Sequence, residues 1–184
     1  MSICSVRRLF AALLFAAVSS AYANAADFTL FVAGAKPGKL NKSGILTSLD
    51  SSPVYGIRLS TNFVPAFGME HTLAFSADYL FPNNTPGVTS TKGFVYSSDL
   101  IISIPVGKIL VPYVTAGVGL IHQYGSPNVP IGTKFAFNYG GGLKFPKILG
   151  PLGLRFDARG YTATGVFSSR LNILEVSGGI FFSF

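Results

Sequence analysis

The chain has 184 residues, of which 11% are charged and 49% hydrophobic, and it carries a formal net charge of +7. Soluble domains are about 25% charged, so the composition argues against an ordinary soluble globule. No stretch after the N-terminus approaches the roughly 20 continuous apolar residues of a transmembrane helix, and no basic run or basic helix marks a nucleic-acid partner.

At the N-terminus Arg7 and Arg8 precede an apolar run from Leu9 to Val18, and Ala23 and Ala25 stand before a cleavage point at Ala26. This is the pattern of a secretory signal peptide over residues 1–25. Its removal leaves 12 Lys and Arg against 7 Asp and Glu, a net +5. Cys4, the only cysteine, lies ahead of the apolar run, whereas a lipid-modified cysteine would follow it. The mature chain is therefore expected to contain neither thiol nor disulfide.

From Ala26 onward the sequence alternates apolar and polar residues, the signature of strands with two different faces. Eight strands are expected. The first, Phe28 to Gly34, turns Phe28, Leu30 and Val32 one way and Thr29, Phe31 and Ala33 the other, and a polar stretch from Lys36 to Pro53 follows. The second, Val54 to Val64, sets Tyr55, Ile57, Leu59, Thr61 and Phe63 against Gly56, Arg58, Ser60 and Asn62. After a tight link at Pro65 and Ala66, the third runs from Gly68 to Phe81, with Met69, His71, Leu73, Phe75, Ala77, Tyr79 and Phe81 opposite Glu70, Thr72, Ser76 and Asp78.

The loop Pro82 to Thr91 leads to the fourth strand, where Phe94, Tyr96, Leu100, Ile102 and Ile104 oppose Ser97, Asp99 and Ser103. A short turn near Pro105 to Lys108 precedes the fifth. There Val114, Ala116, Val118 and Leu120 face away from Tyr113, Thr115, Gly117, Gly119 and Gln123. Beyond a loop from Gly125 to Ile131, the sixth presents Phe135, Phe137, Tyr139, Leu143 and Phe145 against Lys134, Asn138, Gly140, Gly142 and Lys144. The compact turn Pro146 to Pro151 sets Gly140 and Gly142 roughly opposite Asp157 and Arg155. In the seventh strand Leu152, Leu154, Phe156 and Ala158 oppose Arg155, Asp157, Arg159 and Tyr161, and Ala163 to Arg170 forms the next connection.

The last strand, Leu171 to Phe184, places Leu174, Val176, Ile180, Phe182 and Phe184 on one face and Glu175, Ser177, Gly179 and Ser183 on the other. Its closing residues Ser177, Gly179, Phe182 and Phe184 resemble the terminal signal by which outer-membrane β-barrel proteins are recognised for assembly.

An even strand count, about ten residues per strand and connections that alternate longer and shorter together describe an all-β fold. The expected architecture is a transmembrane, antiparallel, eight-stranded up-and-down β-barrel over residues 26–184. Closure is required because hydrocarbon offers no partner to an unpaired strand edge. A soluble eight-stranded cup of the lipocalin type also alternates, but it would turn its oily face inward and need charges outside, where almost none are found.

Most charges fall on the polar strand face. Glu70, Asp78, Asp99, Asp157 and Glu175 share it with Arg58, Lys134, Lys144, Arg155 and Arg159, leaving only Asp27 and Asp50 elsewhere among the acids. In a lumen just wide enough to be filled by side chains, these ten are expected to form an ion-paired structural plug, with a solute or proton path as the rival reading.

The pattern over residues 26–184 resembles the OmpA-type transmembrane barrel and its small OmpX-like relatives, most clearly in PYVTAGVGL, FAFNYGGGLKF and LGLRFDARGY. The resemblance implies outer-membrane localisation after export, contact with outer-membrane lipid and lipopolysaccharide, and recognition of the C-terminal strand by the barrel-assembly machinery. It also implies a monomer without cofactor. Full-length OmpA-type proteins add a periplasmic peptidoglycan-binding domain, and this chain is expected to stop at the membrane without one. Some small barrels act on lipids through a His, a Ser and an acid. Here the only histidines, His71 and His122, lie on the expected lipid-facing side, and Tyr124 occupies the position where lipid A deacylases place serine. No catalytic residue and no metal set is therefore assigned. The expected role is a non-enzymatic barrel with a closed, ion-paired lumen, acting through external loops in surface interaction or envelope integrity, with a narrow ion or solute channel as the alternative.

Overall fold

The computed structural model describes residues 26–38, 40–42, 45–47, 49–64, 66–80, 91–106, 109–125, 131–166 and 169–184. The expected signal peptide, residues 1–25, lies outside them. The described residues form β1 (Ala26–Pro37), β2 (Leu40–Lys42), β3 (Ile45–Thr47), β4 (Ser52–Val64), β5 (Phe67–Ser76), β6 (Thr91–Ser103), β7 (Val111–Gly125), β8 (Thr133–Leu149), β9 (Leu152–Val166) and β10 (Ser169–Ser183). Eight of these close a barrel in the order β1, β10, β9, β8, β7, β6, β5, β4, while β2 and β3 make a small hairpin between β1 and β4. Every barrel pairing is antiparallel, and β1 closes the ring by pairing Phe28 with both Leu59 and Phe182.

Side-chain period two makes the two faces chemically opposite. Outside, Leu30 is 56% and Val176 57% exposed, whereas inside Arg58 and Glu70 are at 0%. That inversion excludes the soluble cup, whose oily face would be sealed from solvent. No helix among the described residues is long and apolar enough to cross a membrane.

Three expectations are corrected. First, β5 stops at Ser76, and Asp78 is exposed instead of facing the lumen. The chain bends as the Asp78 amide donates to Ser76 Oγ at 3.3 Å. Leu80 adopts a positive φ of 50°, and its amide donates to Ser52 Oγ at 2.6 Å. The bend carries Tyr79, expected outside, into the barrel mouth, where Tyr79 and Leu80 are buried.

Second, the connection expected over Ala163–Arg170 is largely strand, since Ala163 pairs with Leu171 and Thr164 with Arg170. Ala163 and Leu171 are both fully buried, so apolar packing continues the inward rows of this ribbon beyond Tyr161 and Ile173. Third, β8 spends residues 146–148 on a bulge against β9, with Lys147 at φ 59°. The hairpin closes at Leu149 and Leu152, so that even with the bulge Gly142 pairs with Asp157 and Gly140 with Arg159, two residues from the expected alignment.

The interior has two zones. Near the short turns it is ionic. Toward the loop end it is a cluster of buried apolar side chains that includes Val54, Tyr79, Leu80, Val95, Ile121, Ile131, Tyr161, Leu171 and Ile173. Leu171 and Ile173 share the parity of Glu175, so the apolar zone continues the inward row of β10 above its polar part.

Candidate functional site

The inward face of β9 delivers Arg155, Asp157 and Arg159 in successive inward positions, and the rest of the ionic zone is assembled around them. Arg155 forks onto Glu70 of β5, with Nη1 to Oε2 at 2.5 Å and Nη2 to Oε1 at 3.0 Å. It also reaches Asp157 Oδ1 at 3.0 Å. Arg159 binds Asp99 of β6 at 3.0 Å and Asp157 at 3.3 Å and makes a further short ion pair with Glu70. From across the barrel, Arg58 of β4 reaches Asp157 at 2.8 Å and Glu175 at 3.0 Å. Asp157 thus meets all three guanidiniums, and Glu70 meets two.

Such a network is tolerable away from water only when lone pairs and donors are satisfied by further hydrogen bonds. Ser60 Oγ donates to Glu70 at 2.6 Å. Asp99 accepts from Asn138 Nδ2 at 2.5 Å and from Ser97 Oγ at 3.1 Å. The Tyr113 hydroxyl donates to Asp157 while accepting from Arg155 Nε at 2.8 Å. Aromatic faces cover the cations, with Phe31 3.7 Å from the Arg58 carbon and Tyr113 4.6 Å from that of Arg155. Desolvated contacts of this kind are worth roughly 2 kcal/mol. Gly142 makes room for Tyr113, since a Cβ there would meet its hydroxyl and the Phe156 carbonyl.

Of the ten residues named from sequence, Arg58, Glu70, Asp99, Arg155, Asp157, Arg159 and Glu175 meet in this cluster. Lys144 stands apart, nearer the short-turn end, where its Nζ binds Asp27 at 2.6 Å. Lys134 is half-buried, with its Nζ beside Gly165, and joins none of the ion pairs among the described residues. Asp78 is exposed in the bend after β5.

Asp27, expected off the polar strand face, lies inside and also accepts from Ser183 Oγ at 2.6 Å. It shares parity with Thr29 and Phe31, so the inward row of β1 carried the missed signal. Tyr113 and Phe31 face inward as expected, but their role as covers for the guanidiniums has no sequence signature.

The C-terminal residues divide between the two faces. Ser177 Oγ accepts from both terminal nitrogens of Arg58 at 3.2 Å, and Gly179 lies opposite Phe31. Phe182 and Phe184 are exposed on the outer face with ring centroids 6.0 Å apart. The backbones of Ala26 and Phe184 exchange two hydrogen bonds of 3.0 Å, so the final residue completes the seam. Replacing Phe184 by serine, or deleting it, is expected to reduce the yield of assembled barrel without altering the loops. Gel mobility shifts on heating measure that yield, and undiminished folded protein in the outer membrane would contradict the expectation.

Each histidine stacks on an aromatic ring and has a hydroxyl within hydrogen-bond distance. His71 Nδ1 lies 3.2 Å from the Tyr96 hydroxyl, and His122 Nδ1 lies 2.7 Å from Thr133 Oγ1 while stacking on Tyr124. A nucleophile, its base and an orienting acid must lie within hydrogen-bond reach of one another, and neither histidine shows that set among its described contacts. Among the described residues no group of His, Cys, Asp and Glu could hold a metal ion.

No family model matches the chain, and no curated protein matches it. Solved structures do. Neisserial surface protein A is 14% identical, with a TM-score of 0.66 over 88% of this chain and 99% of that one. The outer membrane protein OprG from Pseudomonas aeruginosa is 12% identical, with a TM-score of 0.59 over 88% of this chain and 96% of that one. Ail, the attachment invasion locus protein of Yersinia pestis, is also 12% identical, with a TM-score of 0.53 over 88% of this chain and 99% of that one. The fold is that of the small eight-stranded outer-membrane barrels.

Proposed function

We propose that this protein is a non-enzymatic bacterial outer-membrane barrel, exported through the signal peptide at residues 1–25, with a closed lumen and external loops that make its contacts in surface interaction or envelope integrity. The observation that carries the closed-lumen reading is the set of ion pairs strung from β4 to β5, β6, β9 and β10 through Arg58, Arg155 and Arg159, each no more than 1% exposed. The apolar cluster at the loop end forms a second barrier above it. An apolar outer wall and an ionic interior are the arrangement that a hydrocarbon surrounding demands of a barrel. The proposed partners are outer-membrane lipid, lipopolysaccharide and, during biogenesis, the assembly machinery reading Ser177, Gly179, Phe182 and Phe184.

Planar-bilayer recording of refolded protein tests the proposal, and silence is expected. Reproducible conductance steps would replace it with the narrow-channel reading.

A further inference from the structure

The outer wall carries an apolar groove of about 550 Å³ between β1, β8, β9 and β10, within the roughly 300–1,000 Å³ of small-molecule sites. Its sides follow one slanted row of the sheet, in which Lys36 pairs with Leu174, Leu174 with Gly160, and Gly160 with Tyr139. These residues alternate with the inward row and so face away from the lumen. Gly160 keeps the groove floor low, because a Cβ there would come within 2.9 Å of the Tyr139 ring. Tyr139, 59% exposed, leans its ring over Gly160, and Leu174, 52% exposed, stands on the other side of that glycine.

Of the outward-facing side chains that line the groove, Lys36 alone is charged. Toward the loops it meets exposed Lys36 and Asn172, the latter accepting from the Thr162 hydroxyl at 3.0 Å. The outward row of β1 reads Phe28, Leu30, Val32, Gly34 and then Lys36, so charge first appears on this face at Lys36. About eight residues of tilted strand separate Phe28 from Lys36, a rise of roughly 20 Å, which approaches the roughly 25 Å height of a barrel's apolar band. The groove thus lies along hydrocarbon with its ammonium at the headgroup level.

We infer that this groove seats one acyl chain of a phosphate-bearing lipid of the external leaflet, whose phosphate meets Lys36. This rests on the reading above that the outer wall faces lipid. An apolar trough in such a wall is filled by lipid chains in any bilayer. Charge complementarity at Lys36 selects an anionic headgroup over a zwitterionic one.

Native mass spectrometry of the refolded full barrel tests the inference, using detergent doped with phosphatidylglycerol, with phosphatidylcholine, or with phosphatidylglycerol plus inorganic phosphate. One phosphatidylglycerol is expected to be retained in preference to phosphatidylcholine and to resist displacement by phosphate. Lys36→Gln is expected to lower retention about fivefold, the factor for one cation at a lipid surface. Ala158→Phe, which fills the groove from the outer face, should abolish it, and Val32→Phe, outward but outside the groove, should leave it unchanged. Equal retention of both lipids, displacement by inorganic phosphate, or unchanged retention in Lys36→Gln would overturn the site. If Ala158→Phe does not fold, Lys36→Gln decides alone. A wild-type barrel that inserts into bilayers but retains no lipid overturns the groove and spares the membrane reading, whereas failure to insert at all overturns the latter.

Discussion

Replacing Arg155 by alanine is expected to be the most damaging single change in the barrel, costing about 3–5 kcal/mol of stability in detergent, the range for breaking a buried ion pair from one side. Arg155 is fully buried. It supplies the two-pronged grip on Glu70 and a contact to Asp157, and its Nε donates to the Tyr113 hydroxyl. Three guanidiniums now serve Glu70, Asp99, Asp157 and Glu175. Without Arg155, two remain against four carboxylates, and Glu70 keeps only Arg159 as its ion-pair partner.

Asp157→Asn should cost less even though Asp157 touches every arginine. It keeps the side-chain shape and an acceptor oxygen, and it leaves three carboxylates for three guanidiniums. Lys92→Ala, which removes an exposed cation at the start of β6, serves as the reference. The chain contains no tryptophan, so urea unfolding is best followed by far-ultraviolet circular dichroism. Coincident midpoints for Arg155→Ala and Lys92→Ala would refute the network as a stabilising element.

The second large effect is expected at the opposite end of the interior. Tyr79→Ala should destabilise the barrel by about 3–5 kcal/mol, the usual cost of removing a buried large aromatic side chain. Tyr79 is held by its backbone. Its amide donates to the Thr91 carbonyl at 2.9 Å, and its own carbonyl accepts from Gln123 Nε2 at 2.8 Å. Gln123 Oε1 in turn accepts from the Ile131 amide at 3.0 Å, which ties this segment to the start of β8. The ring lies over Gly93, where any Cβ would collide with it.

Gly93→Val should therefore reproduce the loss from the other partner by expelling the ring. Neither variant is expected to conduct, because the ionic zone beneath stays closed. Steady current through Tyr79→Ala would show that the mouth cluster, and not the ion pairs, is the barrier. Wild-type stability in both variants would remove Tyr79 from the packing altogether.

The class of fold and the direction of its faces are legible in the amino-acid pattern alone. Period-two alternation states which side chains share a face without reference to any partner strand, and an oily face that carries almost no charge can only be the outer one. Arg58, Glu70, Asp99, Arg155, Asp157, Arg159 and Glu175 were therefore legible as inward-facing residues. Their pairing was not, because ion pairs across a lumen depend on the relative height of strands, and height depends on where strands bend or bulge. The hairpin closing at Leu149 and Leu152 and the bulge at 146–148 together set Gly142 opposite Asp157, and the bend after Ser76 exposed Asp78 and drew Tyr79 inward.

The strand boundaries and the apolar mouth were tertiary decisions as well. Ala163 reads as part of a connection until its pairing with Leu171 buries both, and Asp27 reads as lying off the polar strand face until closure of the ring brings Lys144 to it. Alternation is a property of one strand and can be read locally. Register, closure and the matching of one charge to another are relations between strands far apart in the chain, and only the closed barrel sets them.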